Sequence, residues 1–174
     1  MSLFWSNVNT DPKRRFRFIL QAGNIPIWTV KTAAKPKVSV GVIEHQFLNH
    51  TFKYPGRVTW ENITMTLVDP VDPDLAYTFL QKLRRSGYDY PTSPNVRSTI
   101  NKADATGPQG ISGVSIAQID ADGKEIEKWK LTNPWIVSID FGGNLDYAAE
   151  EMNEISVELA YDWAELVKSG NEAR

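Results

Sequence analysis

The stretch Glu154-Ile155-Ser156-Val157-Glu158-Leu159-Ala160-Tyr161-Asp162 decides the fold. Glu154, Ser156, Glu158 and Ala160 alternate with Ile155, Val157, Leu159 and Tyr161. A period of two places the two sets on opposite sides of an extended strand, one side wet and one apolar. The same pattern extends back through the C-terminal third, Ser112 to Leu166. Val114 to Ile119 and Glu125 to Leu131 read as the arms of a hairpin around the turn Asp120-Ala121-Asp122-Gly123. In the second arm Ile126 and Trp129 fall on opposite faces, which predicts a bulge or an earlier strand start. Trp135 to Phe141 is a further strand, with Gly142-Gly143-Asn144 as its exit. No recognisable catalytic apparatus sits on these strands, so their edges and second faces are the expected functional surfaces.

Toward the N-terminus, Arg15 to Leu20 predicts a first strand bounded by Gly23, with a short partner at Ile27 to Val30. Ala33-Ala34-Lys35-Pro36 breaks the pattern, because proline cannot donate to a ladder. From Lys37 to about Gln46, Lys37, Ser39 and Gly41 alternate with Val38, Val40 and Val42, leaving one small polar face. Phe47 to Arg57 reads as an aromatic and basic loop closed by the turn signal Pro55-Gly56. Thr59 to Val68 follows as one strand, with Asn62, Thr64 and Thr66 opposite in facing to Ile63, Met65 and Leu67. One helix is well specified. Asp72 is its expected cap, Pro73 its first turn, and Leu75, Ala76, Phe79, Leu80 and Leu83 its apolar stripe. Arg84 and Arg85 suit its C-terminal end, and Gly87 stops it. Tyr88 to Gly113 holds three prolines and no clear period, with a short helix expected within Ser98 to Ala105. Met1 to Pro12 reads as an arm, and residues 13–174 as a single β domain.

At 174 residues, 41% hydrophobic and 23% charged, the chain has the material for one core. A net charge of −2 argues against avid nucleic-acid binding. The lack of cysteine excludes disulfides and thiolate metal sites. Met1 to Ser6 has no charged n-region or long apolar core, so no signal peptide is expected. No apolar run approaches the ~20 residues of a membrane span, so no membrane insertion of the monomer is expected either. The turn Asp120 to Gly123 lacks the third acidic ligand and the closing glutamate of a calcium loop. His45 and His50 stand five apart with only Glu44 near, a poor metal pair. Gly107-Pro108-Gln109-Gly110 is not followed by the lysine–serine pair of a phosphate loop, and no nucleophile elbow is present. No catalytic residue, cofactor or metal is therefore expected. Lys13-Arg14-Arg15 with Arg17 is a basic run that could touch nucleic acid, and the favoured reading is a solvated strand face or a salt-bridge partner for a neighbouring subunit. Tyr161-Asp162-Trp163 reads as closing the core at the end of the last strand.

Several motifs, in this order and spacing, carry a resemblance. They are Leu48-Asn49-His50-Thr51-Phe52, Tyr54-Pro55-Gly56-Arg57-Val58-Thr59-Trp60 and Thr66-Leu67-Val68-Asp69-Pro70. They continue as Gln118 to Gly123, Glu127-Lys128-Trp129-Lys130-Leu131-Thr132-Asn133, Asp140-Phe141-Gly142 and Leu145-Asp146-Tyr147. Glu154 to Leu159 and Tyr161-Asp162-Trp163-Ala164 complete them. Taken together, the sequence resembles the tail tube protein of contractile-tailed bacteriophages over most of its length, matching poorly at Met1 to Pro12 and Tyr88 to Gly113.

The resemblance implies a mainly β fold: an antiparallel β-sandwich or partial barrel with one flanking α-helix, its strands joining a continuous barrel across a hexameric ring. It implies stacked rings forming an inner tail tube inside a contractile sheath, a conduit for genome ejection. The implied place is the virion tail, after synthesis and assembly in the host bacterial cytoplasm. The implied partners are other copies of the chain, sheath, baseplate and tail-terminator proteins, a tape-measure protein in the lumen, and double-stranded DNA passing non-specifically. The tube of a capsid-less contractile injection system and a non-polymerising ring or adaptor of the same fold are the alternatives. A monomeric ligand-binding β-barrel and an enzyme are the readings from other classes. About 24 strands at ~4.8 Å spacing, as in the family's inner wall, give a backbone diameter on the order of 45–50 Å.

On this reading the polar strand residues Ser39, Gly41, Asn62, Thr64, Thr66, Ser138, Asp140, Ser156 and Glu158 are expected to face the lumen. They include no arginine, so a duplex would pass without being held. Phe47, Phe52 and Tyr54 are the expected anchors of inter-ring stacking, with Lys53 and Arg57 supplying charge.

Overall fold

Alternating polarity sorts the chain into two four-stranded antiparallel sheets and one long separate hairpin. The computed structural model describes residues 12–92 and 99–167, so all but the last residue of the expected arm, Met1 to Pro12, lies outside the described residues. Strand β1 is Phe18–Gln21, β2 Val30–Ala33, β3 Lys37–Phe47, β4 His50–Glu61 and β5 Ile63–Val68. Helices α1 (Leu75–Arg85) and α2 (Lys102–Thr106) follow. Then come β6 (Ser115–Ile119), β7 (Glu125–Thr132), β8 (Trp135–Asp140), β9 (Glu154–Ala160) and β10 (Trp163–Val167). One sheet has the order β1-β6-β7-β10 and the other β2-β5-β9-β8, while among the described residues β3 and β4 pair only with each other.

A single apolar cluster joins the two sheets. β5 contributes Ile63, Met65 and Leu67, and β9 contributes Ile155, Val157 and Leu159. The other sheet contributes Leu20, Ile116, Leu131 and Ala164, and α1 lays Leu75 and Phe79 against the same cluster. The intervening residues Thr64, Glu158 and Ser156 stay accessible, as a period of two requires. The architecture is therefore the expected mainly β, antiparallel one, with the expected flanking helix as α1 and the short helix expected within Ser98 to Ala105 found at Lys102–Thr106.

Several boundaries differ from the sequence reading, each for a local reason. The first strand starts at Phe18, because the Arg17 N–H closes a turn onto the Arg14 carbonyl at 3.3 Å. Ile27–Thr29 is a single 3-10 turn, held by the Thr29 hydroxyl and N–H on the Pro26 carbonyl, and the strand begins only at Val30. Phe47 to Arg57 is not a loop. The chain turns at Leu48-Asn49, with Leu48 at φ 51°, and returns as a strand straight through Pro55-Gly56. Pro55 faces Val42 in that ladder, where the register shifts between Val40 and Val42. Gly41 and Gly56 make the shift possible: a Cβ on Gly56 would lie 3.0 Å from the Gly41 carbonyl oxygen.

Thr59 to Val68 is two strands rather than one. It breaks at Asn62, so that β4 belongs to the hairpin and β5 to a sheet. Helix α1 is capped by Asp74 instead of Asp72, its carboxylate accepting the Tyr77 N–H at 2.8 Å, while Asp69 accepts from Leu75 N–H at 3.1 Å. The expected bulge in the C-terminal hairpin is present between Gln118 and Ile119. Strand β10 was not expected. The chain leaves one sheet after Ala160, and Trp163 re-enters the other opposite Thr132. Trp163 is thus a partly exposed strand residue, whereas Tyr161 is buried.

Phe79 is fully buried at the meeting of helix and sheets. Phe79→Ala is expected to destabilise the subunit by about 3–5 kcal/mol, and loss of the Asp74 cap by about 1 kcal/mol. Urea denaturation of the two variants at one protein concentration checks that order.

Candidate functional site

Register gathers six of the expected lumen residues onto one surface. Thr66 stands opposite Ser156 and Thr64 opposite Glu158. Ser138 stands opposite Glu158 and Asp140 opposite Ser156. Asn62 joins them from the β4–β5 junction, its Nδ2 donating to Glu158 Oε1 at 2.9 Å, and the Ser138 hydroxyl donates to the other oxygen at 3.2 Å. The result is a continuous polar face on β5, β9 and β8, with the apolar core on its reverse. Ser39 and Gly41 lie elsewhere, on the hairpin, where Ser39 faces Thr59. Lys31 is a member that sequence reasoning missed. Its ammonium pairs with Glu154 of β9. Counting by twos does not place it, because the β2 register shifts between Val30 and Thr32.

The hairpin β3–β4 is the second surface. Along β3 every residue is exposed, including Val40 at 53% and Val42 at 63%. Phe47 faces His50, His45 faces Phe52 and Ile43 faces Tyr54. The His50 and Phe52 rings meet edge-on at 4.6 Å. The structure therefore brings Phe47, Phe52 and Tyr54 onto one side of the tip. Lys53 lies on the other side opposite Glu44, 4.0 Å from its carboxylate, and Arg57 lies at the register shift. Ile43 and His45 share the aromatic side. The strand-to-loop reading hid them, since a loop has no faces.

The root of the hairpin is clamped. Glu127 of β7 is buried and accepts from Lys13, from Lys35 at 2.6 Å and from Trp129 Nε1 at 2.7 Å. Lys35 also donates to Gln118 Oε1 at 2.7 Å, and it belongs to the short link from β2 into β3. Burial works to raise the Glu127 carboxyl. The hydrogen bonds from Lys13, Lys35 and Trp129 and the charge of Lys35 outweigh it and bring the group down to about 2. Trp60 at the end of β4 packs on the core beside Tyr161, with ring centroids 6.1 Å apart. Part of the basic N-terminal run is thus engaged within the subunit, with the exposed Lys13 serving the clamp from the surface.

No group of three or more potential metal ligands gathers among the described residues. Among the described residues, clefts open to solvent at two places relevant to a site. One of about 1060 Å³ lies under the segment 142–154, and one of about 840 Å³ lies between the edges of β1 and β2.

Neither a protein-family model nor a curated protein matches the sequence. Solved structures do match. A chain of the anti-feeding prophage baseplate superposes with a TM-score of 0.66 at 15% identity, over 91% of this chain and 97% of that one. A chain of the anti-feeding prophage tube-terminating cap gives 0.66 at 16%, over 97% and 100%. A chain of the sheath–tube complex of the extracellular contractile injection system PVC gives 0.65 at 17%, over 97% and 99%. The chain shares the fold of these three chains. At this identity the likeness carries the fold, and the surfaces above carry the argument on function.

Glu127 gives this region a pH signature. Its contribution is fully present above its ordinary value of 4.5 and is lost as pH falls toward about 2. Glu127→Gln is expected to be less stable than the parent at pH 7, with the gap closing below pH 4.5. Urea midpoints taken from pH 7 down to pH 3 check this, and a gap constant with pH would contradict it.

Proposed function

We propose that the chain is a self-assembling structural subunit of the inner tube of a contractile tail or injection system. In this reading six copies close into a ring, their strands run on from copy to copy as one barrel, and rings stack inside a sheath. One observation carries the reading: the hairpin β3–β4 stands on its own, exposed on both faces and paired to no other described strand. An isolated two-stranded ribbon is marginal in water, and unpaired edges invite further strands. The other sheet likewise ends in two open edges, β2 and β8. Head-to-tail joining of identical copies uses both kinds of edge and closes when the rotation permits.

The polar face fits the bore of such a ring. Its cation Lys31 is paired with Glu154, while Glu158 and Asp140 leave it acidic. Phosphates are held mainly by Lys and Arg, so this wall would pass a nucleic acid without retaining it. The opposite side, covered by α1, would then face the sheath. Baseplate and terminator proteins would meet the two ends of the stack, and a tape-measure protein would occupy the bore during assembly. A phage tail and a capsid-less injection system share these requirements, and the proposal covers both.

Light scattering and negative-stain microscopy of the purified chain test it. Hexamers, or tubes with an open bore, are expected as concentration rises. A monomer at every concentration would overturn the reading, and rings that never stack would make the chain an adaptor.

A further inference from the structure

The core is open at both sides of the two-sheet stack. On one side the edges of β1 and β2 flank the cleft of about 840 Å³. Its walls include core-facing positions. Phe18 precedes the buried Leu20 by two residues and so shares its side of β1. Ala33 lies opposite the buried Met65. The cleft is therefore a gap between the sheets. Phe16, also in its lining, is 75% exposed.

On the other side the edge strands are β8 and β10. Two short links hold them together: Asn133-Pro134 leads from β7 to β8, and Tyr161-Asp162 leads from β9 to β10. Asn133 donates to Asp162 between these links at 2.7 Å. Here a core-side residue is left uncovered. Leu166 lies opposite Trp129, two residues on from the core pair Ala164 and Leu131. It points to the core side of its sheet, yet it is 49% exposed. One side of the subunit thus has a gap in its core, and the other presents a core-side residue to water.

Charge divides in the same way. Residues 13–17 with β1 and β2 carry Lys13, Arg14, Arg15, Arg17 and Lys31 and no carboxylate. β8 and β10 carry Asp140 and Glu165 and no lysine or arginine. Within the cleft Lys13 and Lys35 share the single carboxylate of Glu127, so with Arg15 its walls stay cationic. Each sheet has four strands in antiparallel alternation, so its two edge strands run in opposite directions. A copy added edge to edge continues that alternation.

We infer that the cleft between β1 and β2 receives the edges of β8 and β10 from a neighbouring copy in the same ring, with Leu166 inserted beside Phe18 and Ala33. This rests on the ring reading above and names the surfaces that close the ring. The apolar core then runs from copy to copy behind the polar wall, and Asp140 and Glu165 approach the cationic rim. Only a head-to-tail contact satisfies both sides. Two clefts facing each other would oppose like charges and leave both gaps unfilled.

Leu166→Arg and Ala33→Arg would be compared with Tyr77→Arg, which lies on the exposed face of α1. The first two are expected to need at least ~100-fold more protein to form rings, and Tyr77→Arg to match the parent. Light scattering over a dilution series reads this. An unchanged urea midpoint in the dilute Leu166→Arg subunit separates the effect from a folding defect. Where that variant unfolds, single thiols carry the test. The chain has no cysteine, so Phe16→Cys, Leu166→Cys and Tyr77→Cys each hold one. Positions 16 and 166 are expected to react with a maleimide at least ~10-fold more slowly in assembled protein than in dilute subunits, and 77 equally fast in both. Rings formed by Leu166→Arg at the parental concentration, or a position 166 that stays reactive on assembly, would overturn the assignment. Protection of 16 with 166 free would give the cleft to another segment and overturn it as well. If the parent chain forms no rings, the ring reading fails instead.

Discussion

The register between β5 and β9 is the constraint on which the rest depends. Ile63, Met65 and Leu67 face Leu159, Val157 and Ile155 in the core, while Thr64 and Thr66 face Glu158 and Ser156 in water. A slip of β9 by one residue would turn the Glu158 carboxylate inward and its three apolar side chains Ile155, Val157 and Leu159 outward, so the pairing is strongly specified. With it fixed, β8 adds Ser138 and Asp140 to the wet side, and α1 and the second sheet are left only the dry side to cover. One choice of register thus makes both a packed subunit and a polar wall.

The hairpin is held in the opposite manner. Its root is tied by Lys35 to Glu127 and by Trp60 to the core, whereas its tip pairs with no other strand among the described residues. The cost of burying the Glu127 carboxylate is offset by three donors converging on it, and removing one donor leaves a charge short of partners. A stiff base and an unpartnered end suit an element that must be aimed before its partner arrives. Preorganisation of that kind lowers the ordering cost of association.

Much of this was legible in the sequence wherever period two runs unbroken. The polar and apolar sets of β5 and β9 follow from alternation alone, and so does the C-terminal hairpin with its bulge, whereas in β8 a register shift between Ile136 and Ser138 puts Ile136 on the core side with Ile139. What was not legible depends on contacts distant in sequence. Pro55-Gly56 carries a strong turn signal, yet in the fold Gly56 sits against Gly41, and the same pair of residue types serves a bulge. Lys31 lies at a register shift and Glu127 inside a network, so neither shows in local pattern. Strand β10 is short and has no clean alternation, with Ala164 as its buried member. The tip surface was recognised by its aromatics, but its two-sidedness needed the ladder.

The central claim is that separate copies complete one another's strand edges. Backbone hydrogen exchange, followed by mass spectrometry in dilute and in concentrated protein, tests it most directly. Amides of β3, β4 and β8 are expected to exchange fast in the dilute subunit and to become protected on concentration, with β6 and β7 unchanged. Fast exchange of the hairpin at every concentration would contradict the account.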